Sequence, residues 1–318
     1  MTGSTPRVSV IIPAFNRATT LRASVESVLR QSYTDLELIV VDDCSSDDTA
    51  NIALAFDDPR IRLLRTTSNL GAGGARNVGV ANSRGSWVAF QDSDDEWLPT
   101  KLEKQMALLD KGGSDQVAAY CGLLRLGKLN GVADARLEMS YVPDKSQLKV
   151  DGELIEELLR TSIISTQTLV VRKNIFESIG GFDAELTPIE DWDFALSLCQ
   201  KGLIKFVDQP LVLQRFSENS ISRDGDKRLI SQIRVVEKHY STFSKYPGIL
   251  AYQYRLISGA LRRKGDFAEA LRYLLRAIKV HPSSIQLWPR AAHVGILTLA
   301  ANPFLAWPRR NFGRAADK

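Results

Sequence analysis

A short apolar run that stops at a proline or at polar or acidic residues recurs along the first hundred residues. This recurrence constrains the fold more than any other feature of the chain. Val8-Ser9-Val10-Ile11-Ile12 is largely β-branched and stops at Pro13, so it reads as a buried strand with the loop Ala14-Phe15-Asn16-Arg17 at its carboxyl end. Leu36–Val41 is the next run and closes on Asp42-Asp43; Ile61–Leu64 follows; Trp87–Gln91 leads into Asp92-Ser93-Asp94-Asp95-Glu96-Trp97. Helical patterns lie between them. Leu21, Val25, Val28 and Leu29 share one face behind a Thr19 or Thr20 cap. Ser45-Ser46-Asp47-Asp48 supplies the cap of a second helix, with Ile52, Ala55 and Phe56 inward. Asn69–Gly74 reads as a loop and Ala75–Ala81 as a helix. Strand–helix alternation of this kind predicts an α/β fold with a doubly wound, mostly parallel sheet. Ligands of such sheets bind outside the carboxyl ends of the strands. Phe15, Asn16, Asp42, Asp43, Asp92 and Asp94 all fall at such ends.

Beyond Asp95 the pattern loosens. Thr100–Asp110 is amphipathic, Val117–Leu126 reads as a strand, and residues 127–150 read as irregular. Gly152–Arg160 is a predicted helix, Thr168–Arg172 a strand, Lys173–Ile179 a short helix ended by Gly180-Gly181, and Glu190–Gln200 a helix. Leu203–Val207 and Leu211–Phe216 read as strands around a turn at Asp208-Gln209-Pro210. From about Asp226 the spacing becomes helical. This places a first domain over residues 1–225 and a helical extension over 226–318. Within the extension, GDFAEALRYLLRAIKVHP resembles part of a single tetratricopeptide-type hairpin, which implies packing or partner binding. The apolar stretch Val294–Trp307, followed by Arg309, Arg310 and Arg314, suits either a membrane surface or a buried terminal helix.

The acidic end of the fourth strand carries the first chemical signal. A dense carboxylate cluster after a buried strand is costly unless a cation sits there. Asp-x-Asp spacing suits Mg2+ or Mn2+, above all a metal that also holds phosphate oxygens. Capping of the next helix is the competing role, expected mainly of Asp95 and Glu96. Glu190-Asp191-Trp192-Asp193 presents a second cluster, in which neighbouring charges raise a carboxylate's pKa and suit it to proton abstraction. The only histidines are His239, His281 and His293, so chemistry within the first 225 residues calls for a carboxylate base. The glycines of Asn69–Gly74 half-match a dinucleotide fingerprint, but Arg76 occupies the place of the third glycine, which argues against NAD. No P-loop motif occurs.

Composition narrows the setting. A net charge of +4 over 318 residues gives no argument for nucleic acid. Cys44, Cys121 and Cys199 are scattered and form no CxxC pair, as expected of a reducing compartment. MTGSTPR enters the first strand with no room for a signal peptide, and no apolar run reaches the ~18 residues of a membrane span. The expected location is cytoplasmic, with peripheral contact at the inner face of the cell membrane left open.

VSVIIPAFNR, LELIVVDDCSSDDT, NLGAGGARNVG, WVAFQDSDDEW and GGFDAEL-x3-EDWDFAL stand in the order and approximate spacing of family 2 glycosyltransferases, and residues 6–222 resemble that family. The resemblance implies a GT-A fold, a Rossmann-like mixed sheet flanked by helices, here with a C-terminal α-helical extension. It implies transfer of a sugar, with inversion, from a nucleotide-sugar, UDP being usual, to a saccharide or lipid-linked acceptor hydroxyl in bacterial polysaccharide or glycolipid synthesis. By position, Pro13, Phe15, Asp43 and Arg76 resemble the nucleoside-binding set. Asp92 resembles the ribose and first metal-motif carboxylate, Asp94 the direct ligand of Mg2+ or Mn2+, and Asp191 the general base, with Glu190 beside it. Arg215 is implied as a charge partner of the leaving diphosphate. Ser217 stands where the family often has histidine. Trp97 is assignable either to the core or to the sugar pocket. Two other readings are a metal-dependent nucleotidyltransferase, which lacks a basic Gly-rich signature here, and a degenerate nucleotide-sugar-binding module acting through its helical tail.

Overall fold

The computed structural model describes residues 5–128, 137–144, 146, 148–215 and 225–301. The expected roles of Ser217 and of the basic tail at residues 309–314 lie outside them. The chain divides into two compact units, Met1–Val235 and Val236–Lys318.

In the first unit, β1 (Val8–Ala14), β2 (Leu36–Asp42), β3 (Ile61–Arg65) and β4 (Trp87–Phe90) are parallel and alternate with α1 (Leu21–Leu29), α2 (Thr49–Leu54) and α3 (Gly71–Ala81). After β4 come β5 (Glu96–Trp97), α4 (Lys101–Asp110), β6 (Gln116–Lys128), β7 (Leu137–Val142), α5 (Ile155–Arg160), β8 (Val170–Arg172), α6 (Lys173–Ile179), α7 (Glu190–Leu198) and β9 (Leu203–Arg215). The sheet runs β3-β2-β1-β4-β8-β6-β9-β5, with β7 on β6. It is mixed: β8 is antiparallel to both β4 and β6, and β9 is parallel to β6. β2 and β4 flank β1 on opposite sides, so the chain reverses its direction of winding at β1. That reversal opens a crevice at the carboxyl ends of β1 and β4. Every residue of β1, β2 and β4 is buried, as expected of strands covered on both faces.

Several elements differ from expectation for identifiable reasons. β1 continues through Pro13 to Ala14. Gln91 N donates to Ile11 O and Asp43 N donates to Ala14 O, so alternation turns the Pro13 nitrogen toward β4, past its last paired residue. A missing N–H leaves no ladder bond unmade there. α3 starts at Gly71, not Ala75, and takes in the glycines expected to form a loop. Close approach explains them: a Cβ on Gly73 would touch Phe182 Cβ at 3.4 Å, and one on Gly79 would meet Ile11 Cγ2 at 2.4 Å. Part of the expected irregular stretch forms β7. β9 is one strand, and the expected turn at Asp208–Pro210 is an irregularity where the register on β6 slips between Cys121 and Gly122. α5 begins at Ile155 rather than Gly152, which has a φ of 82°. Asp95 and Glu96 do not cap α4; Glu96 enters β5 and pairs with Leu213 of β9. Trp97 is core, 3% exposed, with its Nε1 donating to Gln167 O and Lys101 Nζ 3.7 Å over its ring.

α8 (Gly225–Lys238) bridges the sequence from the first unit into the second. The second unit contains α9 (Tyr240–Phe243), α10 (Pro247–Arg263), α11 (Phe267–Val280) and α12 (Leu287–Ala301). α10 and α11 form a hairpin: Gly265 takes the left-handed turn, and Asp266 caps α11 by accepting from Glu269 N. The Tyr254 and Tyr273 rings pack across it, tilted by 56° with 5.8 Å between centroids. Among the described residues no helix is long and apolar enough to cross a membrane.

Candidate active site

A cavity of about 900 Å³ opens at the crevice between the ends of β1 and β4. Pro13, Phe15, Asp43, Arg76, Asp92, Asp94, Glu190 and Asp191 all line it. Residues from five separate sequence blocks therefore share one wall system.

The β1 end supplies Phe15, which is 45% exposed, an unusual position for a large aromatic ring. Asn16 beside it has a φ of 53°. Such a conformation suits asparagine better than most residues. It is held in place by Ser45 Oγ, which accepts from Asn16 N at 2.9 Å, and by Ser46 N, which donates to Asn16 Oδ1 at 2.9 Å. At the end of β2 the two aspartates divide their work. Asp42 accepts from Ser45 N at 3.0 Å and turns the loop. Asp43 accepts from Thr66 Oγ1 and Leu70 N, both at 2.9 Å, and holds the start of α3 while lining the cavity.

α3 delivers Arg76, a buried guanidinium between two carboxylates. It donates to Asp92 Oδ1 at 2.7 Å and to Glu190 Oε1 at 3.0 Å, and lies 5.5 Å over the Phe182 ring. Asn77, one residue on, exchanges two hydrogen bonds with the Phe182 backbone, at 2.8 and 2.9 Å. This pair pins the segment before α7 to α3. Below, the rings of Phe90, Phe176, Phe182 and Phe194 pack with centroids 4.7–5.6 Å apart. Among the described residues, Arg76 Nε and Glu190 Oε2 are buried without a hydrogen-bond partner.

The β4 end supplies Asp92, Asp94 and Asp95. Asp95 is 2% exposed and is held by Gln167 Nε2 at 3.0 Å and Arg215 N at 3.1 Å. Burial, and then the charges of Asp92 and Asp94, push its carboxyl well above the usual range. Asp94 is also pushed up, by burial and by Asp92, and Arg17 at 3.7 Å offsets this only partly. The cluster holds more negative charge than its neighbours neutralise. Among the described residues no group of three or more His, Cys, Asp or Glu forms a closed metal cage. One or two carboxylates facing a cavity are, however, what a phosphate-bound Mg2+ or Mn2+ takes from its protein. The carboxylates of Asp94 and Asp92, both lining the cavity, have the donor chemistry that would fit such an ion.

Asp191 is the second residue of α7 and borders the same cavity. The residue is half-buried at the cavity wall. Burial and then the Glu190 charge push its pKa up to about 7, against weaker opposition from the Trp192 N–H and Arg76. A carboxylate poised near neutrality can accept a proton from a hydroxyl.

Arg215 is the expected residue that the structure does not bring to this wall. Its side chain is 60% exposed and pairs with Glu96 at 2.8 Å. Arg17, Arg125 and Arg228 line the cavity instead, with Gln167 and Gln214. Sequence reasoning assigned neither the three arginines nor Gln214, whereas Gln167 belongs to the segment Ser162–Thr168 expected to line a sugar pocket. Arg17 carried a signal, since it lies in the loop at the carboxyl end of β1; Arg125 and Arg228 arrive from distant segments and carried none.

Comparison with known proteins adds an independent line. Residues 9–137 match the model of Glycosyl transferase family 2, and residues 251–294 match a Tetratricopeptide repeat model. The Escherichia coli UDP-Glc:alpha-D-GlcNAc-diphosphoundecaprenol beta-1,3-glucosyltransferase WfgD is 30% identical over 227 residues, 71% of this chain and 83% of that protein. Among solved structures, S. aureus TarS residues 1–349 with UDP-GlcNAc superimposes with a TM-score of 0.65 at 19% identity, covering 92% of this chain and 88% of that one. The Pyrobaculum calidifontis mannosyltransferase PcManGT, in complex with GDP-Man and Mn2+, gives a TM-score of 0.58 at 20% identity, covering 92% and 81%. The structural likenesses carry the fold alone. With the sequence relationship and the matched model, they make this chain a member of glycosyltransferase family 2, built on a GT-A fold with added C-terminal helices.

Proposed function

We infer that the protein is an inverting transferase that moves a sugar from a nucleotide-sugar, UDP-linked in the first instance, to an acceptor hydroxyl. The acceptor class is a saccharide or a lipid-linked saccharide, in keeping with the acceptor in WfgD's name. The observation that carries this reading is Asp191, raised to about 7 in the same cavity as Asp92 and Asp94. Scattered free cysteines and a nucleotide-linked donor fit action in the cytoplasm.

The chain's own residues suggest how the steps run. Phe15 offers a face for the base to stack on, and Asp43, already anchored by Thr66 and Leu70, supplies an acceptor for its polar edge or the ribose. Arg76 holds Asp92 toward the ribose and diphosphate. Arg17 and Arg228 contribute positive charge to the wall, while Arg215 would first have to leave Glu96. Asp92 and Asp94 would hold Mg2+ or Mn2+, which when bound stabilises charge on a leaving diphosphate. Asp191, ionised, accepts the acceptor hydroxyl's proton as that oxygen attacks the anomeric carbon, and a single displacement inverts the centre. A positioned base of this kind contributes about 10²–10⁴-fold.

The test is incubation of the protein with a panel of nucleotide-sugars and Mn2+, with detection of released nucleoside diphosphate in the presence of saccharide and lipid-linked acceptors. Release from none of the donors with any acceptor overturns the reading.

A further inference from the structure

We propose that the outward face of α12 docks on an anionic lipid bilayer. α12 is apolar on two sides. Leu287, Ala291 and Val294 are buried on one. On the other, Trp288, Ile296 and Leu299 are 55%, 65% and 59% exposed, with exposed Ala292 between them. Positions 288, 292, 296 and 299 fall on one stripe of a helix. Ile285, just before the helix, is 81% exposed. Scattered apolar side chains on a surface are ordinary, whereas a continuous stripe marks a contact face.

Charge selects the occupant. Residues 236–301 hold ten Lys and Arg against three Asp and Glu, a net charge of +7. The chain beyond adds Arg309, Arg310, Arg314 and Lys318 against Asp317. Residues 1–235 hold 27 Lys and Arg against 33 Asp and Glu, a net charge of −6, so nearly neutral composition conceals a strongly basic unit. Arg262, Arg263, Lys279 and Arg290 are exposed. A second copy docking through the same face would bring +7 against +7, which disfavours that pairing. An anionic bilayer supplies both complements at once. Headgroups take the cations, and the acyl boundary takes Ile296 and Leu299 with Trp288 at the interface, where indole rings concentrate. The proposal stands independently of the transfer reaction.

The test is co-sedimentation of the full chain with vesicles of phosphatidylglycerol and phosphatidylcholine, and with phosphatidylcholine alone, at about 50 mM salt. The expected result is binding to the mixed vesicles, at least about tenfold weaker binding to the neutral ones, and loss as salt rises. A Trp288→Gln, Ile296→Gln, Leu299→Gln variant with unchanged thermal unfolding should bind the mixed vesicles at least about tenfold less tightly. If that variant unfolds early, Ile296→Gln alone is read instead and must still weaken binding. The proposal is overturned if the parent ignores the mixed vesicles or if the stripe variants bind as tightly as the parent. A concentration-dependent dimer that the stripe variants abolish, in a parent that binds no vesicles, also overturns it and assigns the face to a second copy.

Discussion

The Arg76 guanidinium donates to the Asp92 carboxylate at 2.7 Å from a position almost wholly removed from water. Its other terminal nitrogen reaches Glu190, 114 residues away in sequence. One buried cation thus joins the end of β4 to the start of α7. Removing it leaves the buried Glu190 and the half-buried Asp92 uncompensated, so Arg76→Ala should lower unfolding stability by up to about 3–5 kcal/mol. Urea unfolding measures this. Arg76→Lys should rescue little, because a point charge cannot replace a planar fork serving two partners.

Asp191→Asn should reduce turnover by at least about a hundredfold while leaving donor affinity unchanged. Near-normal transfer would remove Asp191 as the base. The same variant should be more stable than the parent at pH 8. Folding holds this carboxyl near 7 against an ordinary 3.8, so its favourable contribution is full below about 4 and is lost as pH rises through about 7. Discounted for access from the cavity, the gain at pH 8 is of order 1–2 kcal/mol, readable as a higher Tm.

With Asp191 in its proposed role as base the ionised form works, so kcat/KM should fall as pH drops below about 7. Glu190→Gln removes a charge that raises this pKa and should move the acid limb to lower pH. A pH–rate profile of both proteins with saturating metal tests it; an unmoved limb contradicts the coupling.

Asp94→Ala should abolish the metal-dependent part of donor binding. Calorimetry with UDP, with and without Mn2+, reads the difference directly. An unchanged affinity in the presence of Mn2+ would count against Asp94 as a ligand.

Gly79→Ala would set a Cβ 2.4 Å from Ile11 Cγ2 and 3.2 Å from Val41 Cγ2, between α3 and the sheet. Overpacking at such a seam should destabilise by about 1–3 kcal/mol, measured by chemical unfolding, with the folded fraction still binding donor.

The parallel half of the fold was legible because strand and helix periods alternate cleanly from Val8 to Phe90 and each apolar run stops at a proline or a polar residue. In the mixed half β6 and β8 were expected as strands, at Val117–Leu126 and Thr168–Arg172, but β5 and β7 were not. β5 is two residues long, too short for a period, and like β8 it depends on a partner far off in sequence for its place in the sheet. α3 was misjudged because its glycines answer to close approach by Phe182 and Ile11, which only the assembled structure reveals. The site followed the same rule. Asp43, Asp92 and Asp94 could be read at strand ends, but the clasp between Arg76 and Glu190 could not, and Arg215 sits against Glu96 because β5 pairs with β9.

The four phenylalanine rings beneath the site have a further consequence. Phe90 is two residues before Asp92 and Phe194 three after Asp191, so the mounts of both carboxylates rest on one aromatic floor. Loosening that floor would displace the two together. Heat inactivation should therefore track global melting closely, with no interval in which a folded but idle enzyme accumulates.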